Sequence, residues 1–173
     1  MESTFFIKKL SETVPGFIAG SYALSQLIGI TYRDIDYFVD EEDIKSLIVD
    51  EEGHISDIID IQGIGFRRCG MYWDLNGFAA YESMGALHPP VNIIVVKRLS
   101  MVTVLANFDL DILRVAMTGD FEKVDVVDQD HVRAVRRKVV GVARRTLSNS
   151  PITTARLNKY KSRLPDYEFV TYV

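Results

Sequence analysis

Residues 17–40 read FIAGSYALSQLIGITYRDIDYFVD, and this stretch constrains the fold more than any other in the chain. A short apolar run ends at Gly20-Ser21. Tyr22, Leu24, Leu27 and Ile28 then recur at helical spacing, and a second apolar run carries Asp34 and Asp36, separated by one residue. The pattern predicts strand, turn, short helix and strand. Ser21 is expected to cap the helix and Gly29 to end it. In the second strand, DIDYFVD, the period of two puts Asp34 and Asp36 on one face and Ile35 and Tyr37 on the other. The intervening helix then brings the second strand beside the first.

The rest of the chain reads as strands mixed with helices. TFFIKKLSETV has apolar residues at 5, 6, 7, 10 and 14, which predicts an amphipathic helix stopped by Pro15-Gly16. EEDIKSLIVDE predicts a short helix with acids in its first turn, where the helix dipole favours them. Residues 53–81, rich in glycine and aromatics, predict strands at roughly GIGFRRCGMYWDL and NGFAAYE, with a hairpin turn at Asn76-Gly77. VNIIVVK predicts a strand, LSMVTVLANF a helix, and DLDILRVAMTGD a further strand. In DQDHVRAVRRKVVGVARRTL, Val132, Val135, Val139, Val142 and Leu147 share one face with arginines opposite, which predicts a single helix entered through Asp128 or Asp130. NSPITTARLNKYKSRLP predicts a last helix, with Ser150 as cap, Pro151 at its first position and Pro165 beyond its end. The fold class is α+β: a mixed sheet with flanking helices and a basic helical C-terminal part. One domain is expected over 1–173, with the sheet core in 1–127 and the basic helices in 128–173.

Composition narrows the function classes. A chain of 173 residues, 47% of them hydrophobic, can bury a single core. Its most apolar stretches, such as VNIIVV, are far shorter than the ~20 residues of a membrane span, and MESTFFIKKLSETV lacks the order of a secretory signal. A soluble cytoplasmic protein is expected, with no membrane partner. Cys69 is the only cysteine, so no internal disulfide can form, and it makes no zinc cluster with the scattered His54, His88 and His131. None of these histidines has a partner at a spacing that suggests acid-base catalysis. Charge is divided unevenly. Residues 1–130 hold ten Lys/Arg against twenty-two Asp/Glu, whereas residues 131–163 hold ten Lys/Arg and no acid. Such a block suggests contact with the phosphates of a nucleotide or nucleic acid, the alternative being a basic face that neutralises the acidic part internally.

Two carboxylates on one strand face have Cβ atoms about 6–7 Å apart and can ligate a divalent ion together. Oxygen-bound hard cations are what a phosphoryl or nucleotidyl displacement uses. Gly20-Ser21 supplies the complementary half, because glycine admits phosphate close to the backbone and a helix start directs N–H groups at anions. This order, an apolar residue, Gly-Ser, twelve residues and then Asp-Ile-Asp-Tyr-Phe, resembles the signature of the polymerase-β-like nucleotidyltransferase superfamily. VNIIVV, NFDLDILRVAMTGD and ARLNKYKSRLP resemble blocks of small nucleotidyltransferase-like proteins of phages and large viruses. The last carries an Arg-x-x-Lys-Tyr-x-x-Arg pattern at Arg156, Lys159, Tyr160 and Arg163.

The resemblance implies a nucleoside triphosphate substrate with Mg²⁺ or Mn²⁺, and transfer of a nucleotide to an RNA end, a protein hydroxyl or a small molecule. It implies a cytoplasmic location, that of the host if the protein is viral. Asp34 and Asp36 would hold the metal and Gly20, Ser21 and Lys159 the nucleotide. The third acid that such enzymes usually place on a later strand is absent: VNIIVV offers Asn92. Asp109 is the preferred source of the missing charge, ahead of Asp111 and the more remote Asp74. Tyr160 is open to base stacking or core packing, as are Tyr72, Trp73 and Phe78. The rival readings are a catalytically incomplete nucleotidyltransferase-fold binding protein and an unrelated basic domain that binds nucleic acid without chemistry.

Overall fold

In the computed structural model, which describes residues 1–70, 77–143 and 151–172, the first elements are α1 (Ser3–Leu10), β1 (Gly16–Ala19), α2 (Ser21–Ser25), β2 (Ile35–Asp40) and α3 (Glu41–Ile48). An antiparallel run follows, β3 (Ile58–Ile61), β4 (Ile64–Cys69) and β5 (Gly77–Ser83), and then β6 (Val91–Val96) and α4 (Met101–Ala106). After a 3₁₀ turn at Asp111–Leu113 come β7 (Val115–Met117), β8 (Val126–Val127), α5 (Gln129–Arg137), β9 (Val139–Ala143), α6 (Pro151–Arg163) and β10 (Glu168–Tyr172). Eight strands form one mixed sheet in the order β3-β4-β5-β6-β2-β1-β7-β8, and β9 and β10 form a separate parallel pair. Tyr72, Trp73, Asp74, the Asn76 half of the hairpin turn, Leu147 and the Ser150 cap lie outside the described residues.

The middle of the large sheet sets the geometry. β1 and β2 pair antiparallel with Ala19 opposite Asp36, and β2 and β6 pair parallel with Asn92 opposite Asp36. β6 is buried at every position, as its apolar run, broken only by Asn92, leads one to expect of a strand covered on both faces. Period two sends Ile35, Tyr37 and Val39 to one side, where the Tyr37 hydroxyl donates to the Val14 carbonyl at 2.7 Å. Burial raises the pKa of Tyr37. Phe38 lies on the other side with the aspartates, stacked on Phe17 at 5.5 Å and edge-on to Phe108 at 6.2 Å. β1 approaches β2 so closely that a Cβ on Gly16 would stand 2.2 Å from the Phe38 carbonyl oxygen.

Three local expectations are corrected. The helix over 128–147 stops at Arg137: Asp128 caps α5 by accepting from Asp130 N, Lys138 takes the left-handed conformation at φ 53°, and Val139–Ala143 is strand β9. The β-branched residues gain a ladder with β10 that a helix would deny them. The strand expected over DLDILRVAMTGD is reduced to Val115–Met117. Asp109 and Asp111 instead hold β9, the Asp109 carbonyl accepting from Ala143 N at 2.8 Å and the Asp111 carboxylate from Gly141 N at 2.9 Å. Burial raises the Asp111 pKa, partly opposed by that hydrogen bond. Finally, α2 ends at Ser25, before Gly29, and its cap position is Gly20, with Ser21 as its first helical residue.

Buried Arg114 ties this region together. It donates to Asp130 at 2.5 Å and to the carbonyls of Ala106 and Phe108 at 3.3 Å each, fixing the loop that carries Phe108. Nearby, His131 Nδ1 donates to the Ile112 carbonyl at 2.7 Å. Among the described residues no helix is long and apolar enough to cross a membrane.

Gly16→Ala is expected to destabilise the fold by about 2–3 kcal/mol, because the overlap is with backbone and cannot be relieved by a rotamer change. Urea unfolding checks this, and a loss below about 0.5 kcal/mol, within the scatter of a neutral change, would contradict the close β1–β2 approach.

Candidate active site

The Gly-Ser turn, the acidic strand and α6 meet around a cavity of about 140 Å³. One wall is Gly20, Ser21, Asp34 and Asp36; the other is Arg156, Lys159, Tyr160 and Arg163, with Arg33 and Phe108 completing the lining. The volume is well below the roughly 300–1,000 Å³ that encloses a whole ligand, so the cavity suits a charged end such as a phosphate chain.

The two aspartates are half-buried, Asp34 just before β2 and Asp36 within it. Gly20 has φ 94° and ψ −153°, a conformation open essentially only to glycine, and a Cβ there would lie 3.2 Å from Asp36 Oδ2. The bare backbone therefore leaves room beside the Asp36 carboxylate. On the far side of β2, Asn92, only 3% exposed, donates from Nδ2 to Asp36 Oδ1 at 3.0 Å.

The cationic wall is built on helical spacing. Arg156, Lys159 and Arg163 fall on one face of α6 and surround the Tyr160 ring at 5.8, 5.4 and 5.4 Å. Tyr160 is a core residue, 3% exposed, so the base-stacking option is closed to it. Burial raises the pKa of its hydroxyl, partly opposed by Arg156, Arg163 and the Ser21 side chain, which lies beside it. Desolvation and then Arg163 and Arg156 lower the Lys159 pKa, partly offset by Asp34 and Asp36. Lys159 is therefore within electrostatic reach of both aspartates.

The structure brings Gly20, Ser21, Asp34, Asp36 and Lys159 to one cavity. It does not bring Asp109 to the cavity lining. The Asp109 carboxylate stands 3.3 Å from Arg156 in an ion pair. Asp111 is occupied by Gly141 N. Phe78 is half-buried against the core. Arg33 and Phe108 escaped the sequence reading although each adjoins a singled-out aspartate, because neither residue type advertises a role by spacing. Among the described residues no group of three His, Cys, Asp or Glu side chains is placed to hold a metal ion. The donor set that exists, two neighbouring carboxylates, fits one hard divalent cation whose remaining ligands are phosphate and water.

Comparison with known proteins agrees with this geometry at the level of fold. No family model matches the chain, and no curated protein matches it in sequence. Solved structures do. A Thermotoga maritima CCA-adding enzyme complexed with tRNA is 17% identical, with a TM-score of 0.56 over 96% of this chain and 38% of that one. A tRNA-processing enzyme with CTP is 16% identical, TM-score 0.54, over 96% and 43%. A tRNA nucleotidyltransferase with a primer tRNA and an incoming ATP analogue is 14% identical, TM-score 0.53, over 96% and 46%. The fold is nucleotidyltransferase-like, and the chain spans less than half the length of these enzymes.

Tyr160→Ala removes the buried ring that the three cations surround. It is expected to lower stability by about 3–5 kcal/mol, read by urea unfolding. A loss below about 0.5 kcal/mol would contradict its place in the core.

Proposed function

We propose that the chain binds a nucleoside triphosphate with Mg²⁺ or Mn²⁺ and transfers its nucleoside monophosphate to a hydroxyl acceptor, releasing pyrophosphate. The observation that carries this reading is the pairing of Asp34 and Asp36, beside a glycine that clears space, with three cations on the opposite wall. The fold likeness to nucleotidyltransferases supports it. So do the molecules bound to those enzymes, CTP, an ATP analogue and tRNA, which together with the basic block of residues 131–163 favour an RNA end as acceptor.

In this reading Asp34 and Asp36 hold the cation, which lowers the pKa of the attacking hydroxyl and offsets phosphate charge when bound. Gly20 lets the phosphates approach the backbone. Arg156, Lys159 and Arg163 neutralise the triphosphate. Asp109 keeps Arg156 aimed by the ion pair between them. The acceptor oxygen bonds to the α-phosphorus as the bond to the bridging oxygen breaks, so the chain's task is alignment and charge balance. A second reading, nucleotide binding without transfer, is favoured by one observation: a neutral amide, Asn92, stands on Asp36 where a further acid would complete the site.

Incubation with each α-³²P-labelled nucleoside triphosphate, Mg²⁺ or Mn²⁺, and total RNA separates the two. Transfer of label that falls at least about a hundredfold in both Asp34→Ala and Asp36→Ala is the expected result. Nucleotide binding without transfer in the wild type would support the second reading, and no binding at all would overturn both.

A further inference from the structure

Asp36 shares its strand register with a residue that cannot act as an anionic ligand. Asn92 is 3% exposed and donates to Asp36 Oδ1, so one oxygen of the carboxylate is engaged by an amide N–H in the sheet interior. Buried polar side chains with a single clear partner are held to it, since breaking the bond strands both groups. Two divalent cations about 3.5–4 Å apart need anionic oxygens for each, and here the position nearest Asp36 on β6 presents hydrogens instead. The other acids near the cavity are committed elsewhere: Asp109 pairs with Arg156 and Asp111 accepts from Gly141 N. Meanwhile the wall facing the aspartates carries three side-chain cations grouped around Tyr160. Positive charge that a second ion would bring is thus already built into α6.

Resting on the reading that this site takes a metal-bound nucleotide, we propose that it holds one divalent cation per bound nucleotide, with Asn92 as the positioning residue that sets that number. The Asn92 amide fixes Asp36 and withholds the ligand a second cation needs, while Arg156, Lys159 and Arg163 supply the remaining counter-charge to the phosphates.

The test counts Mn²⁺ per bound nucleotide, using α,β-methylene-ATP and α,β-methylene-CTP, which cannot transfer. Equilibrium dialysis gives the ratio, and electron paramagnetic resonance distinguishes an isolated Mn²⁺ from a spin-coupled pair. The wild type is expected to retain one Mn²⁺ per nucleotide with an isolated-ion spectrum. Asn92→Asp is expected to double the ratio and produce the coupled signal. Two Mn²⁺ per nucleotide in the wild type would overturn the proposal and leave the nucleotide site standing; so would a ratio of one in Asn92→Asp that unfolds cooperatively. Should that variant fail to fold, the wild-type ratio and spectrum still decide. Failure of the wild type to bind either analogue would overturn this proposal together with the reading it rests on.

Discussion

Everything at the cavity depends on the register of three strands, β1, β2 and β6. Antiparallel pairing on one side and parallel pairing on the other place Ala19 and Asn92 on either side of Asp36. A carboxylate in the middle of a mixed sheet loses hydration and needs polar neighbours. Asn92 supplies a hydrogen bond from β6, and the missing side chain at Gly20 leaves space for solvent or ligand at the other oxygen. A one-residue slip of β2 would send Asp34 and Asp36 into the face now occupied by Ile35 and Tyr37. The buried Tyr37 hydroxyl on Val14 and the Gly16 contact with Phe38 both resist that slip.

The second structural requirement is that α6 face the aspartates. The β9–α6–β10 unit is tied to the main sheet through Asp109 and Asp111, which hold β9, and through the burial of Tyr160, which packs α6 into the core. Tyr160 therefore acts as a buried post around which the cations are arranged. The Asp109–Arg156 pair and the Arg114 contacts fix the intervening loop. Acidic and basic side chains end up lining one small cavity, positioned by the Asp36–Asn92 and Asp111–Gly141 hydrogen bonds and the Asp109–Arg156 pair.

The parts of this arrangement that were legible in the sequence are those written in local periodicity. Residues 17–40 declare strand, turn, helix and strand by spacing alone, and the common face of Asp34 and Asp36 follows from the pleat. VNIIVV declares a buried strand by an apolar run that only Asn92 interrupts. What escaped depends on partners distant in sequence. Val139–Ala143 has helical spacing of apolar residues, but the left-handed Lys138 and a ladder to β10 decide for strand. The stretch around Asp109 and Asp111 alternates like a strand, yet it turns because β9 draws on its oxygens. Asn92 could be read from sequence only as a missing acid; its donation to Asp36 is a consequence of register. Ser21 looked like a cap, but the cap position falls to Gly20 and Ser21 is already the first helical residue.

The most direct test of the central claim is a crystal structure of the chain with a non-hydrolysable nucleoside triphosphate and Mg²⁺. The account expects the phosphate chain between Gly20-Ser21 and the Arg156, Lys159 and Arg163 side chains, with the cation on Asp34 and Asp36. A nucleotide seated away from both walls, or phosphates lying on α6 with no cation on the aspartates, would contradict it.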